Sequence, residues 1–145
     1  MNGVERAVSC FEDGFSCSQA LLSTYGPELG LGRETALRVA TAFGGGMGHM
    51  GETCGAVTGA FMVIGLKYGR TRAEDVETRD RAYTVVREFV DEFQTRNGSI
   101  VCRELLGFDI RTAEGLALAS EKYLDICPGF VQDAAEIIEQ VLVQT

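Results

Sequence analysis

The sequence predicts an all-α fold, a single-domain bundle of about six to eight helices around a central glycine-rich helix. Three observations carry this reading. Apolar residues recur at helical spacing through nearly every segment. No stretch pairs with another through a hairpin signal, and none alternates convincingly as a strand. The most apolar run, Cys54-Gly-Ala-Val-Thr-Gly-Ala-Phe-Met-Val-Ile-Gly-Leu66, reads as a buried helix.

Each element can be justified in order. Val4, Ala7, Val8 and Phe11 share one stripe of a first helix, which Asp13-Gly14 ends. Ser16 and Gln19 have the Ser-x-x-Gln spacing of a capping box. They start a second helix that turns Ala20, Leu21 and Tyr25 inward until Gly26-Pro27 stops it. After a turn at Gly30-Leu-Gly-Arg33, a third helix over residues 33–43 places Leu37, Ala40 and Phe43 on one face. Gly44-Gly-Gly-Met-Gly-His-Met-Gly51 interrupts the pattern, because so much glycine does not hold a helix cheaply.

The central helix then runs from near Cys54 to Lys67 or Tyr68, with Gly69 as its cap. Gly55 and Gly59, with Ala56 and Ala60, give it a small-residue face on which another helix can lie close. Thr71 and Glu74 form a second capping-box pair, predicting a long polar helix to about Arg96. Its apolar stripe is Val76, Tyr83, Val86, Phe89, Val90 and Phe93. Short helices follow over residues 99–106 and 112–124. Pro128, favoured at a first helical position, starts the last helix over residues 128–143. There Phe130, Ala134, Ile137, Ile138, Val141 and Leu142 face inward.

The chain has 145 residues, 46% hydrophobic and 23% charged, which suits one domain able to bury a core unaided. Its formal charge is −8 and its basic residues are scattered, which argues against nucleic acid or an anionic membrane as partner. The N-terminus lacks the basic start and apolar stretch of a signal peptide. The Cys54–Leu66 run is shorter than the roughly 20 residues a bilayer span needs, so no membrane insertion is expected. A cytoplasmic location is the default expectation. There cysteines stay reduced, and a group of them is more often catalytic, redox-sensing or metal-binding than structural.

Of five cysteines, four fall where a helix should begin. Cys17 follows the Ser16 cap, and Cys54 opens the central helix. Cys102 lies three residues beyond Ser99, after the helix-ending pair Asn97-Gly98, and Cys127 directly precedes Pro128. Unpaired N–H groups and the dipole at a helix start favour negative charge, so thiols placed there are biased toward thiolate. Cys10 lies inside the first helix and is assigned to packing. There is no Cys-x-x-Cys, so neither a zinc ribbon nor a thioredoxin-type site is indicated; any site must be assembled in three dimensions. Small buried packing cysteines are the bland alternative.

The other candidates carry less. The glycine loop lacks the lysine and preceding strand of a phosphate-binding loop, so it is read as a tight connection beside Cys54. His49, the only histidine, could act as a base toward a thiol or ligate a metal, against the plainer expectation of a solvated loop residue. Glu52 and Glu104 read as structural, and Arg103 as the better support for a Cys102 thiolate. Met47, Met50 and Met62 read as core filling.

The chain resembles the redox-active proteins labelled by the cysteine pattern C_GCAxxG_C_C. The resemblance rests on Gly14-Phe-Ser-Cys-Ser-Gln-Ala20, Phe43-Gly-Gly-Gly-Met47, Cys54-Gly-Ala-Val-Thr-Gly59, Gly65-Leu-Lys-Tyr-Gly69 and Cys102-Arg-Glu-Leu-Leu-Gly107, with Cys127 following. It implies that Cys17, Cys54, Cys102 and Cys127 are the family's four cysteines and that their role is redox. A related segment is similar to part of a multihaem cytochrome with an iron–sulfur centre, which implies cluster binding as an alternative.

The expected function is thiol–disulfide exchange or redox sensing by Cys17, Cys54, Cys102 and Cys127, as in a thiol–disulfide oxidoreductase. Cys54 or Cys102 is expected to attack and another of the four to resolve the mixed disulfide. The partner is a redox protein or a small thiol. The alternative is an iron–sulfur cluster or other metal held by the same four cysteines. A third reading is a helical interaction module whose cysteines only pack. An apolar helix surface would allow a homodimer.

Overall fold

Small residues decide how the helices meet. In a computed structural model that describes residues 1–143, α1 (Gly3–Glu12) and α2 (Cys17–Tyr25) come first, then α3 (Arg33–Ala40) and the central α4 (Gly55–Tyr68). The long α5 (Val76–Asn97), the short α6 (Cys102–Leu106) and the 30-residue α7 (Ala113–Leu142) complete an all-α fold. Helix α4 packs against α2, α5 and α7, while α1 lies against α2 and α7. Among the described residues no helix is long and apolar enough to cross a membrane.

The core lies around α4. Val57, Val63 and Ile64 of that helix meet Leu21 and Leu22 of α2 and Val131, Ile137 and Ile138 of α7, all essentially without solvent contact. Each such side chain stabilises the fold by about 1.5–3 kcal/mol. A row of rings, Phe61, Phe89, Phe93 and Phe130, runs from α4 across α5 to α7 at centroid spacings of 6.1, 6.0 and 6.4 Å. The glycine face of α4 meets α2. A Cβ on Gly59 would stand 2.8 Å from the Ser18 carbonyl oxygen and 2.9 Å from Leu21 Cβ. The helices therefore approach almost backbone to backbone, as the small-residue spacing predicts.

The local signals mostly act as read. Ser16 and Gln19 form the capping box, the Ser16 hydroxyl accepting from the Gln19 N–H and the Gln19 side chain accepting from the Ser16 N–H. Gly98 caps α5 in the left-handed conformation. Cys10 is buried in the core, its sulfur 3.6 Å from the Ser23 hydroxyl oxygen.

Several boundaries differ from the sequence reading. Helix α5 begins at Val76, where the Asp75 carboxylate accepts from the Thr78 N–H; Thr71 and Glu74 lie in turns outside it. A competing cap closer to the apolar stripe wins. Val76 and Tyr83 are exposed, 45% and 54%, so the stripe fails in the first turns of the helix, whereas Phe89 and Phe93 are fully buried and Val86 and Val90 pack beside them as read, with Val85 buried as well. Met50 is exposed and fills no core.

The largest difference is at Pro128, which lies inside α7 instead of starting a helix. An interior proline costs about 3 kcal/mol through the lost N–H and ring crowding. Its missing bond would have reached the carbonyl of Leu124, a residue half open to solvent. On one side Val131, Ala134, Ala135, Ile137, Ile138 and Val141 hold the helix in the core. On the other, Tyr123 packs edge-on against Phe11 at 5.8 Å. Anchored at both ends, the helix runs through.

Two glycines of α4 provide a test with opposite signs. Gly59→Ala should destabilise by about 1–3 kcal/mol, because the new methyl meets backbone that cannot yield. Gly65→Ala, with nothing within 4 Å of its Cβ position, should stabilise by up to ~1 kcal/mol through helix propensity. Urea unfolding of the two variants reads both; equal effects would disprove the close α2–α4 approach.

Candidate functional site

Three helix starts converge on one cavity. Cys17 is the first residue of α2, Cys54 caps α4 and Cys102 is the first residue of α6. The first two are brought together by the glycine contact, since a Cβ on Gly55 would lie 3.2 Å from Cys17 Cβ. The third is set by an isolated antiparallel bridge between Thr53 and Val101. In it the Cys54 N–H donates to the Ile100 carbonyl at 2.8 Å and the Cys102 N–H to the Glu52 carbonyl at 2.5 Å. Each of these bonds fixes a cysteine directly.

The glycine loop closes the arrangement from one side. Gly46 is left-handed (φ 66°), and a Cβ there would lie 2.7 Å from Cys102 Cβ, so only glycine lets the loop press on that residue. This is the tight connection expected of the loop. Met47 and His49 are left-handed without being glycine (φ 66° and 62°), a conformation that costs roughly 1–2 kcal/mol per residue.

Cys127 arrives differently. It lies in the interior of α7, so the expectation that it stands at a helix start is wrong. The helix nevertheless carries it across the open side of the three starts. All four of Cys17, Cys54, Cys102 and Cys127 line a cavity of about 600 Å³. All are free thiols, with Cys54 and Cys102 buried and Cys17 and Cys127 half-buried.

Burial dominates the electrostatics. It pushes the Cys54 thiol from 9.0 up to about 12, although the backbone N–H groups of Ala56 and Val57 act the other way. Burial likewise pushes Cys102 up to about 11, aided by charge on Cys127 and opposed by Arg103. Arg103 is already engaged, 2.8 Å from the Glu52 carboxylate. The helix-start bias expected for these two thiols is therefore present at Cys54 but too weak to prevail. Cys17 and Cys127 behave as a pair. A hydrogen bond from the Cys17 S–H to the Cys127 sulfur holds Cys127 below its ordinary value. The same bond, followed by burial, pushes Cys17 well up.

His49 is exposed, as a solvated loop residue would be, and also lines the cavity. Its place five residues before Cys54 was the available signal. Tyr123 and Phe130 of α7 line the cavity too; the spacing marks Phe130 only as part of a core stripe and does not mark Tyr123. Glu52 and Glu104 are structural partners, of Arg103 and of the Ser99 hydroxyl.

A metal fits the donor chemistry but not the arrangement. No group of three or more His, Cys, Asp or Glu among the described residues is placed to hold one metal ion.

The comparison with protein families agrees with the cysteine pattern. Residues 15–141 match the family described as "Putative redox-active protein (C_GCAxxG_C_C)". The chain belongs to this family. As a member of this redox-active family it carries Cys54-Gly-Ala-Val-Thr-Gly59 at the central motif, with the first two letters of the family label transposed. No curated protein and no solved structure matched the chain.

The Cys54 shift has a consequence for stability. The folded protein holds the Cys54 proton more tightly than the unfolded chain. That contribution is whole below pH 9 and is lost as pH rises toward 12. Three units correspond to up to ~4 kcal/mol. Unfolding free energies measured from pH 8 upward should fall steeply in the parent and less so in Cys54→Ala; identical slopes would refute the burial argument.

Proposed function

We propose that the protein carries out thiol–disulfide exchange with Cys127 as the attacking thiolate and Cys17 as the resolving thiol. The observation that carries this is a cavity shared by all four thiols in which Cys17 and Cys127 are the less buried two, and their interaction lowers Cys127 while raising Cys17. Thiolates attack and thiols do not, so the one sulfur held below its ordinary value is the nucleophile. The attacking role expected of Cys54 or Cys102 moves to Cys127, because burial keeps both of those protonated.

The exchange balances in two steps. The Cys127 thiolate attacks one sulfur of a disulfide R–S–S–R, forming a Cys127–S–S–R bond and releasing one RS⁻. Cys17 loses its proton and attacks Cys127, forming the Cys17–Cys127 disulfide and releasing the second RS⁻. One proton comes from Cys17 and the other from water, giving two RSH. The protein loses two electrons and the substrate gains them. The family's redox character and the absence of charged competitors in the cavity lining support this reading.

Three variants test it. Cys127→Ser should slow the reaction with a small disulfide at least about 10-fold. Cys17→Ser keeps a hydroxyl donor, so attack should continue but stop at a mixed disulfide visible by mass. Cys17→Ala removes the donor, and the pH profile of Cys127 reactivity should move upward. Peptide mapping that places the first disulfide between Cys54 and Cys102, or finds all thiols free after oxidation, would overturn the assignment.

A further inference from the structure

The walls of the thiol cavity restrict what can reach its sulfurs, a deduction that rests on the exchange reading above. Cys54 and Cys102 are only 5% and 9% exposed, and Cys17 and Cys127 are half-buried. A disulfide fixed on a folded protein surface cannot bring its sulfurs to them, so the reacting group must enter the cavity. A volume of about 600 Å³ is that of a small-molecule site.

The lining contains no Asp, Glu, Lys or Arg among the described residues. Its bulk comes from Phe15, Leu105, Leu106, Ile110, Tyr123 and Phe130. The polar side chains on the lining are mostly turned to the protein's own use. Gln19 donates to the Leu37 carbonyl and to the Thr41 hydroxyl oxygen, while its oxygen accepts from Ser16. Thr41 donates to Leu37, and Ser120 to the Leu116 carbonyl. A carboxylate entering here would give up its water with no lysine or arginine on the lining and His49 as its one basic side chain, while the nearby Arg103 is already paired with Glu52, which disfavours it. The net charge of −8 repels anions before entry as well.

We propose that the cavity is a binding site for an uncharged, largely apolar disulfide of low molecular mass, and that it discriminates against anionic disulfides such as carboxylated peptides. The apolar groups of such a molecule lie against the phenylalanine and leucine side chains while its sulfurs meet Cys127. The electrons and protons follow the two-step exchange already given.

The test compares the dimethyl ester of dithiobis(nitrobenzoate), an uncharged aromatic disulfide, with dithiobis(nitrobenzoate) itself, the dianion on the same skeleton, on the full-length reduced protein at neutral pH. Each rate is divided by the rate of the same probe with the protein unfolded in denaturant. The uncharged probe should keep a normalised rate at least about 10-fold above that of the dianion, a gap that persists in high salt because it arises from desolvation inside the cavity. Equal normalised rates would overturn the discrimination while leaving the exchange reading intact. A gap that closes in high salt would reduce it to long-range repulsion and overturn the site. If neither probe reacts with the folded protein, the exchange reading itself fails. As a second arm, Ser120→Arg places a cation on exposed α7 at the lining and should raise the dianion's normalised rate several-fold; no gain would count against the cavity as the route.

Discussion

The contact between α2 and α4 at Gly55 and Gly59 is the constraint on which the site depends. Ser18 is fully buried there, and its hydroxyl donates to the Ala40 carbonyl, so the end of α3 is held by the same residue. Two glycines in a helix each cost roughly 0.5–1 kcal/mol relative to alanine. They are offset by backbone-to-backbone packing that no larger residue permits. Cys17 is next to Ser18 and Cys54 next to Gly55. The glycine contact thus sets how far apart two of the four sulfurs lie. The Thr53–Val101 bridge adds the third, and α7 brings the fourth.

Much of this was legible in the chain. The capping box at Ser16 and Gln19, the glycine interruption and the small face of α4 each follow from local chemistry, and each positions a cysteine. Three features were not legible, for separate physical reasons. Pro128 has the same local signature whether it opens a helix or sits within one; packing at Val131 and at the Phe11–Tyr123 contact decides, and both partners are distant in sequence. Asp75 and the Thr71–Glu74 pair are both valid caps, and the choice between them is tertiary. A single isolated bridge such as Thr53–Val101 leaves no periodicity to read. That the four cysteines share a cavity depends on the α2–α4 glycine contact, the Thr53–Val101 bridge and the run of α7 past Pro128. Spacing alone could suggest helix starts but not their convergence.

The same contest between local and tertiary effects decides which sulfur carries charge. A helix start favours an anion by typically 0.3–1 kcal/mol. A buried thiol raised from 9.0 to about 12 is disfavoured as thiolate by about 4 kcal/mol. Burial therefore overwhelms the helix start at Cys54, and at Cys102 it overwhelms the opposing charge of Arg103. Cys127 has no helix start to help it, yet it is less buried and receives a hydrogen bond from Cys17. Its partner Cys17, not a helix start, sets the direction of its shift.

This ordering couples the two pairs of thiols. Negative charge on Cys127 is one of the influences raising Cys54 and Cys102. Under the proposed exchange that charge disappears when the Cys17–Cys127 disulfide forms, because both sulfurs become neutral. The remaining two thiols then lose a repulsive neighbour and move closer to ionising, while burial still holds them above their ordinary range. The first oxidation thereby prepares the second without any movement of the chain. A time course of thiol loss under excess uncharged disulfide should accordingly show two thiols lost quickly and the next two after a lag. Cys127→Ser, which never carries the charge, should abolish the lag. A lag that survives in that variant would show that the two pairs are independent.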